Sequence, residues 1–542
     1  MAWPPNYRRH YFAATAPVGV ASGVGITQGG LFMKSDKELY RQLRALPAEK
    51  LWTEEVPAFD RAAPRERMQR VALIRAVGVA FSATGSPEQK AAVRAWLTRL
   101  LQDPEEKIRR YAMAALPKIG AGTNEESQLL SLLKNPAGER EKKSLGQTLA
   151  KIGGPATLAA VVAQPGLLPQ TELKVKASLA RAESPSTIRL DAVFSPGRGL
   201  RIHLRCRKGL ETIVRDEVQE YINQHGKFRL LEFRGQCVAI TPTAPFSLGD
   251  LFSLHCFDTV GFGLGVVRAP SPAQSIEPLA EVITSPLSRQ LLKTFTEGSL
   301  RYRLAYVGKG HQRGAVQLVA NRAYALCPEI LNDARQAPWA IDLHAIKHGC
   351  SVELRPKITP DPRLAFRTDD VWAASHPPLA ACMARLAGRV PDEIVWDPFC
   401  GSGLELIETA LRGGVQMLHG TDLSPEALAI AQANVAAAKL TTPARFACAD
   451  FRDFEKIQGL RPRSITLLIT NPPMGRRIRV PDLHKLIADL FSVAARALKP
   501  GGRLIFPNPV RLAPTATSLK LQSQQVIDLG GFECRLEVYL KV

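Results

Sequence analysis

The sequence predicts three kinds of domain in order along the chain: an all-α solenoid of helical repeats, an α+β region, and a doubly wound, Rossmann-like α/β domain. Short motifs recur at intervals of 32 and 33 residues in the first third of the chain. Strand and helix patterns alternate from residue 360 to the end, which is typical of a parallel sheet between helices. A chain of 542 residues is long enough for three or four domains.

Residues 36–190 form the predicted helical-repeat region. The segment LLQDP at 100–104 recurs as LLKNP at 132–136, and KIG at 118–120 recurs at 151–153. This pattern resembles the short-period form of the HEAT family, which implies stacked helix pairs with a concave face for a protein or RNA partner. Six basic residues are candidates for phosphate contacts, with solvated helix faces an equally good interpretation: Arg65, Arg67, Arg70, Lys107, Arg109 and Arg110.

The first 35 residues are predicted to be a flexible extension. Arg8 and Arg9 precede an almost uncharged stretch, 11–31, that resembles a targeting peptide faintly. Its apolar residues are diluted by Gly, Ser, Thr and Pro, so a disordered extension is the better interpretation, with Met33 a candidate start. No apolar run approaches the length of a membrane span, and we expect a cytoplasmic protein.

Composition favours a globular, basic protein. The 71 basic and 50 acidic residues give a net charge of +21, which suits a polyanionic partner such as RNA. Nine cysteines, none before Cys206 and none in a Cys-x-x-Cys pair, indicate reduced thiols rather than disulfides or a zinc cluster. His344 and His348 are spaced like metal ligands on a helix, but a structural role is favoured, so no metal is predicted. We expect a monomer.

Residues 196–268 are predicted to form a ferredoxin-like domain, from a strand at 200–204, a helix at 209–221 and paired strands within 228–240. Residues 269–357 continue with alternating helices and strands. Tyr302 and Tyr306 lie within a basic stretch that suits phosphate contacts and base stacking, although both tyrosines are equally well explained as strand core. The candidate RNA-binding residues in this stretch are Arg301, Arg303, Lys309, Arg313 and Arg322, with His311 beside them.

The α/β domain is predicted over 358–542. Its expected strands are 394–397, 415–422, 444–448, 465–470 and 502–506, with 533–539 as a late antiparallel strand. Ligands of such sheets bind at the carboxyl ends of the strands. The informative residues of this half of the chain fall at those positions.

The segment Val395–Gly403 reads as a buried strand, an acidic residue and a tight glycine turn before a helix. Asp422 ends the next strand, where a carboxylate suits the two ribose hydroxyls of a nucleoside cofactor, and Asp450 ends the third, where it suits an adenine amine. His376 and Pro377 begin an upstream helix. The predicted cofactor-binding residues are Asp397, Pro398, Phe399, Gly401, Ser402, Gly403, Asp422, Leu423, Asp450, Phe451, His376 and Pro377.

The segment Asn471-Pro472-Pro473-Met474 follows Gly403 by 68 residues and is the predicted catalytic motif. An exocyclic ring nitrogen is a poor nucleophile, because its lone pair is delocalised. The side-chain oxygen of Asn471 and the carbonyl of Pro472 are suited to accept its two N–H bonds and aim the lone pair at a methyl carbon. The two motifs together indicate an S-adenosylmethionine (SAM) methyltransferase acting on an exocyclic or amide nitrogen. Arg476, Arg477 and Arg479 follow as candidate phosphate ligands.

Three further segments resemble THUMP-domain RNA methyltransferases: RKGLE at 207–211, the stretch 332–339, and VELR at 352–355. The resemblance covers roughly residues 196–542. It implies that the ferredoxin-like and THUMP-like domains bind RNA, and that the N2 amine of a guanosine in tRNA or rRNA is methylated. Members of that family usually carry an aromatic residue at the position of Met474, whose thioether can lie flat on a base with less stacking energy.

Other functions agree with the catalytic motif. Adenine-N6 methylation of RNA or DNA and methylation of a protein glutamine use the same residues. A non-enzymatic alternative is an RNA-binding scaffold with an inactive methyltransferase domain, against which the intact Asp397, Gly401, Asp422 and Asn471 argue.

Overall fold

The computed structural model describes residues 36–163, 171–172, 175, 178–179, 185–197, 199–233, 235–269, 273–308, 312–371, 374–475 and 480–542. The predicted N-terminal extension therefore lies outside the described residues, as do Lys309, His311, Arg476, Arg477 and Arg479. The chain divides into two compact units, 1–183 and 184–542. In the described residues no helix is long and apolar enough to cross a membrane, and no group of three His, Cys, Asp or Glu side chains is placed to hold a metal ion.

The first unit is helical throughout the residues described, as predicted. Its helices are α1 Asp36–Arg44, α2 Ala48–Lys50, α3 Val56–Arg61, α4 Pro64–Gln69, α5 Ala72–Thr84, α6 Pro87–Leu100, α7 Glu106–Ala115, α8 Thr123–Lys134, α9 Glu139–Ile152 and α10 Pro155–Val162. A π-helical segment, Leu51–Glu55, joins α2 to α3, and a 3₁₀ turn, Leu116–Lys118, follows α7.

These helices pack in two layers. Helices α1, α5, α7 and α9 lie side by side in one layer, while α6, α8 and α10 pack behind them. Apolar residues at helical spacing make this possible: Ile108, Ala112 and Ala115 of α7 are fully or almost fully buried. Largely buried ion pairs also link segments of this unit: Arg67 of α4 lies 2.5 Å from Asp103, which follows α6, and Arg109 of α7 lies 2.6 Å from Glu141 of α9.

An eight-stranded sheet forms the first part of the second unit, in the order β10-β9-β11-β12-β7-β3-β5-β4. Its strands are β3 Arg201–Arg205, β4 Phe228–Phe233, β5 Cys237–Pro242, β7 Thr259–Arg268, β9 Leu300–Tyr306, β10 Ile330–Asn332, β11 Trp339–Ile346 and β12 Gly349–Pro356. Short strands β1 Ser186–Ile188, β2 Val193–Phe194, β6 Phe246–Ser247 and β8 Thr296–Gly298 pair outside it. The helices are α11 Glu211–His225, α12 Leu248–Phe252, α13 Ile276–Ile283, α14 Pro286–Phe295 and α15 Arg313–Leu326.

Buried and more exposed side chains alternate along the strands, and the buried ones pack against the helices. Ile202 and Leu204 of β3 are fully buried, and Val214 and Val218 of α11 are buried in the same apolar core. Strand β7 pairs with β3 on one side and β12 on the other, so strands of both predicted domains, 196–268 and 269–357, share one sheet. The subdivision into a ferredoxin-like and a THUMP-like domain stays a prediction.

A seven-stranded sheet forms the last part, in the order β15-β14-β13-β16-β17-β19-β18. Its strands are β13 Glu393–Asp397, β14 Val415–Asp422, β15 Ala444–Cys448, β16 Ile465–Ile469, β17 Leu498–Asn508, β18 Leu519–Asp528 and β19 Glu533–Lys541. The helices are α16 Pro377–Ala387, α17 Leu404–Leu411, α18 Pro425–Ala437 and α19 Leu483–Ala497. Strands β13 to β17 are parallel, whereas β19 and β18 run antiparallel, which confirms an α/β domain with a mixed sheet.

The strand order reverses between β13 and β16, which lie next to each other although two strands separate them in sequence. In doubly wound sheets a crevice opens at the carboxyl ends of the strands where the order reverses. The strands are buried there: all five residues of β16 are apolar or threonine and lie in the interior. The residues that follow the two strands, beginning at Pro398 and Thr470, therefore meet at one edge of the sheet.

Candidate active site

A cleft of about 1200 Å³ lies at this edge, between the carboxyl ends of β13, β14, β15 and β16. It brings together most of the predicted site residues from segments far apart in sequence. Those lining it are Pro398, Phe399, Gly401, Ser402, Asp422, Leu423, Asp450, Phe451, His376, Asn471, Pro472, Pro473 and Met474. Asp397, Gly403 and Pro377 are not on its wall.

The turn after β13 is shaped by glycine. Gly401 has φ 49° and Gly403 has φ 81°, both in the left-handed region that side chains disfavour. A Cβ at Gly403 would also lie 3.3 Å from the Cβ of Ala431, so the turn packs tightly on α18. Helix α17 begins directly after this turn, and its N-terminus is therefore directed toward the same part of the cleft.

Asp397 connects the carboxyl ends of β13 and β16 beneath the cleft. Its side chain is fully buried, and its Oδ1 accepts hydrogen bonds from the Thr470 hydroxyl at 2.5 Å and the Phe399 N–H at 3.0 Å. The residue thus ties the end of β13 to the end of β16. Burial, followed by the neighbouring Glu405 carboxyl, raises the pKa of Asp397 well above its usual range.

Asp422 lies at the end of β14 with its carboxylate on the cleft wall. Its Oδ2 accepts from the N–H of Gly401 at 3.0 Å, and its Oδ1 accepts from the N–H of Ser424 at 3.0 Å. Ser424 in turn caps α18, with its hydroxyl accepting from the N–H of Ala427. Asp422 therefore links the glycine turn to the next helix while it faces the cleft.

Asp450 and Phe451 lie at the end of β15. Asp450 accepts from the N–H and the guanidinium of Arg452, both at 2.9 Å, and Arg452 also reaches Asp489 at 2.8 Å. Phe451 is 3% exposed and packs against Phe399 with ring centroids 4.8 Å apart. The two rings form an apolar wall, and the Asp450 carboxylate at its rim is partly occupied by Arg452.

The Asn471 side chain is oriented by two residues that the sequence did not single out for this purpose. Its Nδ2 donates to the Ser375 hydroxyl at 2.8 Å, and that hydroxyl donates to the Glu405 carboxylate. Glu405 is 3% exposed, and its burial raises its pKa. Because the one hydroxyl hydrogen goes to Glu405, Ser375 can only accept from Asn471, which leaves the Asn471 Oδ1 as the free acceptor.

That oxygen is buried and has no hydrogen-bond partner in the part of the chain that the structure describes. A buried acceptor without a partner is costly, and it is a common feature of a site completed by a ligand. Pro472 is buried beside it, and Met474 is half-buried against the apolar core. The predicted catalytic segment is thus rigid on one side and open to the cleft on the other.

His376 precedes α16 and lies on the wall between the cleft and a smaller pocket. Its Nε2 is 3.6 Å from the Asp258 Oδ1. Burial, followed by the charges of Arg207, Arg363 and Arg367, lowers the pKa of His376 to about 4. The imidazole is therefore neutral near pH 7.

Arg207, two residues after β3 of the first sheet, lines the cleft, and sequence reasoning did not place it there. Its segment is fixed against the β18–β19 hairpin, since the N–H of Asp528 donates to the carbonyl of Lys208 at 3.0 Å. A Cβ at Gly209 would lie 2.0 Å from the carbonyl oxygen of Val526, so only glycine allows this approach. The hairpin residues Leu529, Gly530 and Phe532 complete the same wall.

The predicted RNA-binding residues of the first sheet separate into different environments. Arg301 is 3% exposed, with its Nη1 3.9 Å from the Asp333 Oδ2, so the expectation that it contacts phosphate is wrong. Tyr302 is fully buried and belongs to the strand core. Arg322 is exposed, but its Nε and Nη2 donate to the Glu277 carboxylate at 2.5 and 2.6 Å. Arg303 and Arg313 are exposed and stay candidates.

The residues that form most of this cleft match a known protein family. Residues 365–525 match a methyltransferase family, described as the UPF0020, RMKL-like, methyltransferase domain. The matched segment contains the glycine turn, Asp422, Asp450 and the segment at Asn471. It excludes Arg207 and the hairpin residues 529–532.

A tRNA (guanine(6)-N2)-methyltransferase of Thermus thermophilus is 30% identical to the chain over 199 residues. That alignment covers 36% of this chain and 56% of the relative, so the chain spans a little over half of the relative's length. The crystal structure of TrmN from Thermus thermophilus shares the fold, with a TM-score of 0.51 and 20% identity over 64% of this chain and all of that one. The protein SMU.472, complexed with SAH, gives a TM-score of 0.46 at 14% identity, over 65% of this chain and 99% of that one.

Proposed function

We propose that this chain is a SAM-dependent RNA methyltransferase that transfers a methyl group to the exocyclic N2 amine of a guanosine in tRNA or rRNA. The observation that carries the proposal is the Asn471 Oδ1, an acceptor held toward the cleft by Ser375 and Glu405. The match of residues 365–525 to a methyltransferase family supports the reaction class.

The chain's residues activate the amine by position rather than by covalent chemistry. The Asn471 Oδ1 accepts one N–H of the target amine and the Pro472 carbonyl accepts the other, which returns electron density to the nitrogen. The rings of Pro472 and Pro473 restrict the backbone, which limits the positions that the two acceptors can take. Met474 lies beside them as the surface on which the extruded base rests.

The cleft suits SAM, which when bound supplies a methyl carbon on a sulfonium leaving group. The glycine turn at 401–403 allows backbone close to the amino-acid end, and Asp422 suits the ribose hydroxyls. Phe399 and Phe451 provide an apolar wall for adenine, with Asp450 at its edge. Cys400 is a packing residue in this scheme, because burial raises the pKa of its thiol well above the usual range.

The choice of guanine in RNA as the substrate rests on two observations. The relative that is 30% identical is named as a guanine-N2 enzyme of tRNA, and the chain carries a net charge of +21. In the same proposal residues 36–190 are HEAT-like repeats, 196–268 a ferredoxin-like domain and 269–357 a THUMP-like domain. Arg303 and Arg313, with Arg476, Arg477 and Arg479, contact phosphates.

Methylation assays on the purified full chain test the proposal. Total tRNA and rRNA from a strain lacking the protein are incubated with SAM labelled in its methyl group, and digested nucleosides are analysed by mass spectrometry. We expect label in N2-methylguanosine with the wild-type chain. Label in N6-methyladenosine would instead support the adenine alternative.

The Asn471→Ala variant tests the role of Asn471 in the methyl-transfer step. Removing one preorganised hydrogen-bond partner of a reacting group lowers kcat about 100- to 1000-fold. SAM affinity, measured by calorimetry, should stay within about twofold, since Asn471 contacts the target amine rather than the donor. Full activity in this variant would exclude the role given to Asn471.

A further inference from the structure

The first unit carries a row of exposed basic side chains on a single layer of helices. Arg44 ends α1, Arg75 lies on α5, Lys118 follows α7 and Lys151 lies near the end of α9. These elements are neighbours in that order, because α1 packs on α5, and the 3₁₀ turn after α7 packs on both α5 and α9. We call these four residues the basic row.

Ion pairing separates the basic row from most of the basic residues that the sequence analysis singled out in this unit. No residue of the row forms an ion pair with any residue that the structure describes. By contrast, the cations that the sequence offered as phosphate ligands are mostly neutralised by carboxylates. Arg67 pairs with Asp103, Arg70 with Glu55, Lys107 with Asp36, Arg109 with Glu141 and Arg110 with Glu106.

Like charges are close together along the row. The pKa of Lys118 is lowered by burial and then by the charges of Arg75, Lys151 and Arg44, in that order. Clustered cations that form no ion pairs repel one another, and a bound polyanion offsets that repulsion. Tyr40 and Tyr111 lie beside the row, the first with the Arg75 guanidinium 4.5 Å from its ring centroid.

We propose that the basic row is a second RNA-binding surface, on which the phosphate backbone of the substrate RNA lies across α1, α5, α7 and α9. The choice of RNA rests on the proposed function. Packed helices are about 8 to 10 Å apart, so four helices present a strip of charge about 25 to 30 Å long. A continuous phosphate backbone matches such a strip without specific side-chain contacts.

Binding of an unmodified tRNA transcript to the full chain, measured by fluorescence anisotropy over a series of salt concentrations, tests this surface. The row variant carries Arg44→Gln, Arg75→Gln, Lys118→Gln and Lys151→Gln. The control variant carries Lys50→Gln, Lys90→Gln, Arg99→Gln and Lys134→Gln, which removes the same charge from α2, α6 and α8. A milder variant with Lys118→Gln and Lys151→Gln guards against misfolding, and SAM affinity reports an intact second unit.

We expect the row variant to bind the transcript at least about tenfold more weakly, and its log–log salt slope to fall by about 3 to 4. The milder variant should reduce the slope by about 2. The control variant should keep its slope within about 1 of the wild type, since its cations lie outside the row.

Equal salt slopes of transcript binding in the row and control variants would overturn the proposal. The basic row would then suit an acidic protein partner instead. This outcome is separable from failure of the proposed function. If no RNA nucleoside is methylated but the row variant still loses salt-dependent binding, the basic row is supported and the reaction is not. If methylation occurs and the row variant binds the transcript like the wild type, only the basic row is excluded.

Discussion

Replacing Ser375 by alanine tests whether the orientation of Asn471 is set by its neighbours. In the native arrangement the Asn471 Nδ2 donates to Ser375 at 2.8 Å, and Ser375 donates to Glu405. Rotating the amide by half a turn would place its Oδ1 against a hydroxyl oxygen with no hydrogen to offer. One lost hydrogen bond and one opposed acceptor cost about 2 kcal/mol together, which favours the productive orientation roughly 30 to 1.

In the Ser375→Ala variant that preference disappears, and the two amide orientations become about equally populated. Because only half of the molecules then hold the Asn471 amide in the productive orientation, kcat falls about twofold from this cause alone. The Asn471 side chain also loses its fixed position, so we expect kcat to fall about 3- to 10-fold in total. This is far less than the 100- to 1000-fold expected for Asn471→Ala, because the acceptor is still present. The KM for SAM should change by less than about twofold.

The Glu405→Gln variant adds a pH test to the same network. Only ionised Glu405 forces the Ser375 hydroxyl to donate toward it, whereas protonated Glu405 can donate to Ser375 and free that hydrogen for Asn471. Burial raises the pKa of Glu405, so kcat of the wild type should fall as the pH decreases through that raised value. Glu405→Gln, with no ionisation, should lose this acidic limb.

Steady-state kinetics between pH 5 and 9, with SAM affinity measured in parallel, decide the question. A Ser375→Ala enzyme with wild-type kcat at every pH would refute the orienting role of Ser375. A loss of SAM affinity equal to the loss of kcat would show instead that Ser375 acts on the donor, since it also lines the cleft.

Three further outcomes are expected. Asp422→Ala should raise the SAM dissociation constant about tenfold or more in calorimetry, while Asp422→Asn, which keeps one acceptor, should lose less; unchanged affinity in both would remove Asp422 from the site. The melting temperature of Asp397→Asn should fall less with rising pH than that of the wild type. A carboxyl whose pKa is raised on folding stabilises the fold while protonated and loses this contribution as the pH rises through the folded-state pKa; parallel curves in thermal melts would contradict this reasoning. Deleting residues 1–183 should leave SAM affinity within about twofold but weaken transcript binding, and a truncated chain that folds without binding SAM would show that the domain boundary is misplaced.

The amino-acid sequence determined the helical first unit and the α/β last domain, together with the segments that line the cleft. Those signals are local: helical spacing of apolar residues, a buried strand before glycines, and an acidic residue at a strand end. Strands β14 and β15 have the predicted bounds for that reason. Strand β18 was missed, because an exposed edge strand with the polar run QSQQ at 522–525 gives no alternating pattern.

Tertiary structure alone decided which side chains meet. Asn471 and Ser375 are 96 residues apart, and Ser375 and Glu405 are 30 apart, so no local pattern reports that they form one network. Packing likewise buried Arg301 and paired Arg67 and Arg109 with carboxylates, while Arg75 and Lys118 form no ion pair with any residue that the structure describes. A charged residue looks the same in a sequence whether paired or free, because its partner is chosen by the fold and not by its neighbours along the chain.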